Sequence, residues 1–225
     1  ENKTTQVEYL VIDGASTEGT IDILKRYDKD LDRWQSKPDK GISDAFNQGI
    51  EQASGEFIGF LNADDAYRPH AITKVIQAIS QNPGVDVFHG NIEYVDDEGN
   101  RHVERPDLSR IRDVMSVYHA TMFVRKDAYD KIGKYSINYE FAMDSEWVHR
   151  AIAQGIVFQE VDDVVTTMRL GGQSHRHLRE SLNEFRKSTT HYFGHPLRAT
   201  YFYILQLVLH SLLKNKAFKR AWLGR

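Results

Sequence analysis

Cysteine is absent from the 225-residue chain, which excludes a disulfide scaffold, a thiolate zinc site, an iron–sulfur cluster and a cysteine nucleophile. Proline is scarce, at 5 residues, and no low-complexity tract occurs, so the composition is not that of a disordered chain. Charge of one sign is lacking too. The 29 Lys and Arg against 32 Asp and Glu leave a formal net charge of −3, no general reason to expect nucleic acid as a partner. The glycine-rich string G-x-x-x-x-G-K-[ST] of a P-loop is also missing. What is present is 40% hydrophobic residues, in a length suited to one large or two small domains.

The near-zero total hides an asymmetry. No acidic residue follows Glu184, while Arg186, Lys187, Arg198, Lys214, Lys216, Lys219, Arg220 and Arg225 all do. An acidic body is thus joined to a basic tail, a pattern that suits an anionic surface such as a membrane.

Apolar patterning divides the chain. Residues 7–12 (VEYLVI) predict a buried strand that Asp13-Gly14 stops. Ile21, Leu24 and Tyr27 lie at helical spacing, with Ser16 or Thr17 as the expected cap. Residues 33–35 suit a second short strand. A helix over 42–53 places Ile42, Ala45, Phe46, Gly49 and Ala53 on one face. Residues 57–61 (FIGFL) predict a strand cut off by Asn62-Ala63-Asp64-Asp65, and Pro69 opens a helix running to residue 80. Further on, 85–94 and 101–104 flank a turn at 96–100 and predict a hairpin. Strands are expected at 120–124, 157–161 and 164–168, and helices at 126–132, 145–154, 178–192 and 199–214. The leading strand–helix alternation with short loops predicts an α/β fold with a mainly parallel central sheet and flanking helices.

Carboxylates gather where strands end. In open α/β sheets ligands bind at the carboxyl ends of the strands, and Asp13 and Asp64-Asp65 both stand just past one. Adjacent carboxylates repel unless a cation or polar ligand lies between them. Mg²⁺ and Mn²⁺ take oxygen ligands, typically one or two carboxylates with phosphate oxygens and water. The expected ligand is therefore a metal-bound phosphate or diphosphate.

Five segments carry a family resemblance: V-I-D-G-A-S-T-E-G-T at 11–20, D-K-G-I-S-D-A-F-N-Q-G-I at 39–50, G-E-F-I-G-F-L-N-A-D-D at 55–65, F-V-R-K-D-A-Y-D-K-I-G-K-Y at 123–135 and A-M-D-S-E-W-V-H-R-A at 142–151. In that order they resemble the family 2 glycosyltransferases with the GT-A fold, of the bacterial surface-polysaccharide type. The resemblance implies an inverting, metal-dependent enzyme that moves a sugar from a nucleotide-diphosphate donor to a hydroxyl of a glycan or lipid-linked acceptor. It implies that Asp13 contacts the nucleobase, with Gly14 where the commoner form has a second acid. Asn62 replaces the first acid of the family's D-x-D-D segment; Asp64 is expected near the ribose and Asp65 on the metal, Mn²⁺ or Mg²⁺. Asp44 falls where the family places a polar residue beside the nucleotide, and it equally suits the first turn of its helix. Asp144 matches the acid of the E-D motif, with Met143 for the Glu, and is the expected catalytic base. It also suits a helix N-cap, and Glu146 is its nearest competitor. The departures at Gly14, Asn62 and Met143 keep open a degenerate domain that binds nucleotide or glycan without turnover.

Most of the ten histidines are scattered. His119 precedes a predicted strand and suits the acceptor side. Gly171-Gly172 followed by His175 and Arg176 suits a loop closing over a diphosphate, in which either side chain supplies a phosphate contact or a metal ligand. The apolar stretch 201–213 falls short of the ~20 residues that span a bilayer. With the cations and aromatics after it, it predicts a helix over 199–222 lying on an anionic membrane, or packing on the body. The expected layout is a GT-A domain over 1–196, with a nucleotide-sugar half at 7–95 and an acceptor half at 96–196, then a basic amphipathic helix over 197–225. A cytoplasmic site at the inner face of the membrane follows. Only six residues precede the strand at 7–12, so the resemblance implies that a first strand and helix, about 30 residues, are missing from the chain.

Overall fold

The computed structural model describes residues 6–169 and 176–214. Strand β1 (Leu10–Asp13) and β2 (Arg33–Ser36) pair in parallel, from Leu10 opposite Arg33 to Asp13 opposite Ser36. Helix α1 (Thr20–Arg26) connects them. Its cap is Gly19 at φ +85°, not Ser16 or Thr17, because Ser16 is spent on the Asp13 carboxylate. Helix α2 (Ile42–Gln52) follows, and its small Gly49 lets it approach both sheets. A Cβ there would lie 3.3 Å from the Phe60 ring and 3.8 Å from the Ile12 side chain.

The remaining strands form a six-stranded sheet. These are β3 (Phe57–Gly59), β4 (Ala66–Tyr67), β5 (Val87–Val95), β6 (Arg101–Glu104), β7 (Phe123–Arg125) and β8 (Phe158–Arg169), in the order β3-β7-β5-β8-β4 with β6 on β5. The expected mainly parallel sheet is corrected to a mixed one. Among the described residues only β1–β2 and β5–β8 pair in parallel, and the other four pairings are antiparallel. The physical reason is the wedge of β7 between β3 and β5: those two and β8 run one way, and β7 runs back. Apolar periodicity marks a strand but carries no sign of its direction.

Adjacent residues of β5 feed different cores. Val87 joins Trp147, Tyr129, Phe46 and Val124 beneath α2, α4 (Lys126–Ile132) and α5 (Met143–Ala153). Phe88 joins Val75, Ala71 and Val165 beneath α3 (Ala71–Gln81). The sheet is thus the middle of three layers.

Several boundaries move for local reasons. The helix expected from Pro69 starts at Ala71, after His70 in the left-handed region at φ +64°. The strand expected at 120–124 begins at Phe123, because His119–Thr121 forms a 3₁₀ turn closed by a hydrogen bond from Met122 N to His119 O. The two strands expected at 157–168 are one continuous strand, β8, irregular only in its register against β5. Helix α6 (Leu178–Phe193) packs on α5, and α7 (Pro196–Lys214) packs on α6, starting earlier than expected with proline in its first turn. Arg198 fixes α7 to the body, with Nε and Nη2 each donating to the Asp113 carboxylate at 2.8 Å.

Candidate active site

The turn after β3 brings Asn62 and Asp65 together. Asp65 N donates to Asn62 O at 3.1 Å, and Asn62 Nδ2 donates to Asp65 Oδ2 at 3.2 Å. From the end of β8, Arg169 N donates to Asp65 Oδ1 at 3.3 Å. Burial raises the Asp65 pKa above its usual value, and the neighbouring Asp64 charge adds to this; hydrogen bonds only partly offset it. Asp64 is exposed.

On the other side of His119 stands Asp144. Its helix begins at Met143 with Ala142 as the cap residue, so Asp144 lies in the first turn and the N-cap alternative is set aside. Asp144 Oδ1 accepts from Ser145 N at 2.7 Å, and Oδ2 lies 3.2 Å from His119 Nδ1. Burial pushes its pKa up, but the His119 and Ser145 hydrogen bonds outweigh that and hold the carboxyl below its usual range. It stays reachable, with 23% of its side chain exposed. Glu146 is committed elsewhere, paired to Arg150 at 2.9 Å and accepting from the Tyr192 hydroxyl at 2.7 Å.

His119 joins the two acid sites. Its Nε2 lies 3.2 Å from Asn62 Nδ2 while Nδ1 faces Asp144, so Asp65, Asn62, His119 and Asp144 form one run of contacts. The imidazole packs on Phe46, itself stacked on Phe60 at 4.1 Å between centroids. Sequence reasoning put His119 near the acceptor without connecting it to Asn62. The substitution of Asn for the first acid of the motif was the signal available.

The other predicted residues are placed differently. Asp13 is 8% exposed and turned into the fold: it accepts from Ser16 N, Ser16 Oγ and Ser36 Oγ. Burial raises its pKa, yet these bonds bring the net value below normal. Gly14 lies under Asp39, whose Oδ2 would be 2.6 Å from a Cβ at position 14. The Asp39 carboxylate therefore occupies the space beside the acid missing from Gly14. Asp44 accepts from Lys40 N and Gln48 Nε2, closing the first turn of α2 and bonding to none of the other predicted acids. Arg176 is exposed just before α6, and His175 lies outside the described residues.

Asp65, with the Asp64 charge beside it, suits a hard divalent cation. The proton affinity that burial and like charge give Asp65 is what a bound cation relieves. Among the described residues no group of three or more His, Asp or Glu could hold a metal alone.

The family model for Glycosyl transferase family 2 matches residues 1–142. An uncharacterized glycosyltransferase of Mycobacterium tuberculosis is 30% identical over 152 residues, covering 65% of this chain and 57% of that protein. Glycosyltransferase AglE of Haloferax volcanii is 27% identical over 171 residues, covering 72% of this chain and 56% of that protein. The chain thus spans somewhat more than half the length of these curated relatives. S. aureus TarS 1–349 in complex with UDP-GlcNAc has a TM-score of 0.64 at 17% identity, covering 88% of this chain and 62% of that one. The mannosyltransferase PcManGT from Pyrobaculum calidifontis, in complex with GDP-Man and Mn²⁺, has a TM-score of 0.59 at 17% identity, covering 96% of this chain and 73% of that one. These likenesses show the GT-A fold. The chain belongs to glycosyl transferase family 2.

Proposed function

We propose that this site carries out inverting glycosyl transfer, dependent on Mn²⁺ or Mg²⁺, from a nucleotide-diphosphate sugar to a hydroxyl of a glycan or lipid-linked acceptor. The observation that supports the reading is the convergence of Asp65 and Asp144, from the third and fifth motif segments, on the two sides of Asn62 and His119. Related folds solved with UDP-GlcNAc, and with GDP-Man and Mn²⁺, support the donor class and the cation.

In this mechanism Asp144 is the catalytic base. Its lowered pKa keeps it ionised at neutral pH, ready to accept the proton of the acceptor hydroxyl. The freed oxygen pair bonds the anomeric carbon while the bond to the diphosphate breaks and its electrons leave with the diphosphate. Attack opposite the leaving group inverts the centre, with no nucleophilic carboxylate of the kind retaining glycosidases use. Asp65 would hold the cation, and Asp64 would lie toward the ribose. When bound, the cation supplies positive charge to the departing diphosphate. Asp13 would contact the nucleobase, Asp44 would flank the nucleotide, and Arg176, with His175 next to it in sequence, would meet the diphosphate. Residues 1–196 form the transferase domain.

The same reading puts the protein in the cytoplasm, at the inner face of the membrane. Helix α7 supports it with an outer stripe of exposed Leu197, Tyr201, Ile204, Val208 and Leu212, followed in sequence by Lys214, Lys216, Lys219 and Arg220. No helix among the described residues is long and apolar enough to cross a membrane.

Calorimetry with UDP and GDP, with and without Mn²⁺, tests the proposal alongside donor hydrolysis. Metal-dependent binding with slow release of sugar to water is the expected result. Binding indifferent to metal, with no hydrolysis, would instead identify a nucleotide-binding module without turnover.

A further inference from the structure

The two nitrogens of His119 face partners of opposite kind. Nδ1 lies 3.2 Å from Asp144 Oδ2, and an ionised carboxylate can only accept, so Nδ1 must carry the proton. Nε2 lies 3.2 Å from Asn62 Nδ2. That amide nitrogen also lies 3.2 Å from Asp65 Oδ2. Turning the amide over would set its oxygen against the Asp65 carboxylate, acceptor against acceptor, so Asp65 fixes which end faces inward. The two amide hydrogens are then both assigned, one to Asp65 and one to Nε2, and Nε2 is the acceptor. A single assignment satisfies all four groups: a neutral imidazole protonated on Nδ1.

Asn62 is essential to that assignment. A carboxylate at position 62 would have no hydrogen for Nε2 and would set a like charge against Asp65. This chain carries the amide where the family's commoner form carries the acid, so the arrangement belongs to its own residues.

We propose that Asn62 and His119 form a positioning unit for the base: the amide holds the imidazole in its Nδ1–H tautomer, and the imidazole holds the Asp144 carboxylate in one rotamer. Ser145 N at 2.7 Å ties Oδ1. Oδ2, with one lone pair taken by His119, keeps the other for the acceptor hydroxyl. Phe46 lies against the ring, tilted by 58° at 5.8 Å between centroids, so the imidazole cannot swing away without losing that contact. The proposal rests on reading Asp144 as the catalytic base. His119 acts through that carboxylate and touches no reacting atom.

Long-range ¹H–¹⁵N correlation spectra of the histidine-labelled chain, at neutral pH and without nucleotide, read the tautomer directly. The His119 signals are those lost in His119→Asn. They are expected to show a neutral ring protonated at Nδ1, and Asn62→Asp is expected to abolish that pattern. A ring protonated at Nε2, or an imidazolium, in the unsubstituted chain overturns the proposal. Donor hydrolysis supplies the second readout. His119→Gln, whose amide reaches the Nε2 position, and His119→Ala should lower kcat about tenfold to a hundredfold with donor KM within about threefold. His119→Asn, whose amide nitrogen stands near Nδ1, should recover most of the rate. Equal losses in all three folded variants, or rescue by Gln and not Asn, also overturn it. If the unsubstituted chain hydrolyses no donor, the transfer reading fails, and the tautomer spectrum still decides the positioning unit.

Discussion

Asp144 and Glu146 stand two residues apart in the first turn of α5 and serve different neighbours. Asp144 faces His119 with 23% of its side chain exposed, whereas the Glu146 side chain is 4% exposed and clamped to Arg150. Arg150 continues that clamp to Ile132 O and Lys134 O at 2.6 and 2.7 Å. The two acids should therefore separate activity from stability. Asp144→Asn should lower donor turnover by about 10²–10⁴-fold, with a smaller loss in denaturant midpoint than Glu146→Gln, since it forfeits only the folded-state preference for the ionised carboxylate. Glu146→Gln leaves a buried guanidinium without its counter-charge and should cost about 3–5 kcal/mol of stability. Urea titration of both variants, with turnover measured per folded molecule, checks the division. Full activity in Asp144→Asn would remove it from the mechanism.

Asp65 should show the opposite trade. Its carboxyl is buried beside Asp64 and binds protons more readily than usual, so the ionised form costs stability that a cation restores. Asp65→Asn should melt at the same or a slightly higher temperature than the unsubstituted chain in the absence of metal. The difference appears with ligand. At nucleotide and Mn²⁺ about 100 times above Kd, the unsubstituted chain should gain about 2.7 kcal/mol and Asp65→Asn essentially none. A thermal shift series over Mn²⁺, UDP and both together measures this. An equal shift in the variant would move the metal site elsewhere.

Legibility in the sequence followed the range of each interaction. Helix α4 and the β5–β6 hairpin were readable because their signals are local: a short apolar period, and Asp96 accepting from Glu98 N and Asn100 N around Gly99 at φ +83°. Asp65 and Asp144 were readable as candidates because strand ends and a short motif mark them. Strand direction was not, since β7 enters the sheet between strands distant in sequence. Nor was the Asn62–His119 contact, which joins residues 57 apart and depends on a 3₁₀ turn where apolar patterning suggested a strand. Asp13 shows the converse. Its place at a strand end was legible, but its three serine-derived donors, one of them on β2, appear only once β1 and β2 are paired.

Two buried histidines set the acid sensitivity of the fold. His149 lies between Ser188 Oγ and Ile111 O, at 2.8 and 2.9 Å, and burial depresses its pKa from 6.5 to about 4. Burial does the same to His89, whose two ring nitrogens have no hydrogen-bond partner. The unfolded chain takes up these protons below about pH 6.5, and the folded chain only near 4. Their stability contribution is thus full above pH 6.5 and falls as pH drops through this window, by about 1.4 kcal/mol per pH unit per histidine. His89→Leu should remove one histidine's share and, by deleting two orphaned nitrogens, add about 1 kcal/mol at neutral pH. Chemical denaturation at pH 7, 6, 5 and 4 gives the slope, and an unchanged slope in His89→Leu would exclude that residue.

The outer face of α7 separates surface binding from simple packing. Leu197, Tyr201, Ile204 and Val208 are 88, 61, 53 and 48% exposed and recur at helical spacing, so they line one stripe. The opposite side is already engaged, by Arg198 on Asp113 and by Gln206 Nε2 donating to Asp113 O at 3.1 Å. Burying the stripe in a lipid interface gains apolar area at about 25 cal/mol per Å², and the basic tail adds attraction to anionic headgroups. Cosedimentation should therefore be stronger with anionic than with neutral vesicles and should weaken as salt rises. Replacing these four residues with serine should abolish most of the binding without lowering the melting temperature, since none of the four is buried. Lack of binding by the unsubstituted chain would exclude the membrane role. Equal binding by the serine variant would assign the contact to the basic tail alone.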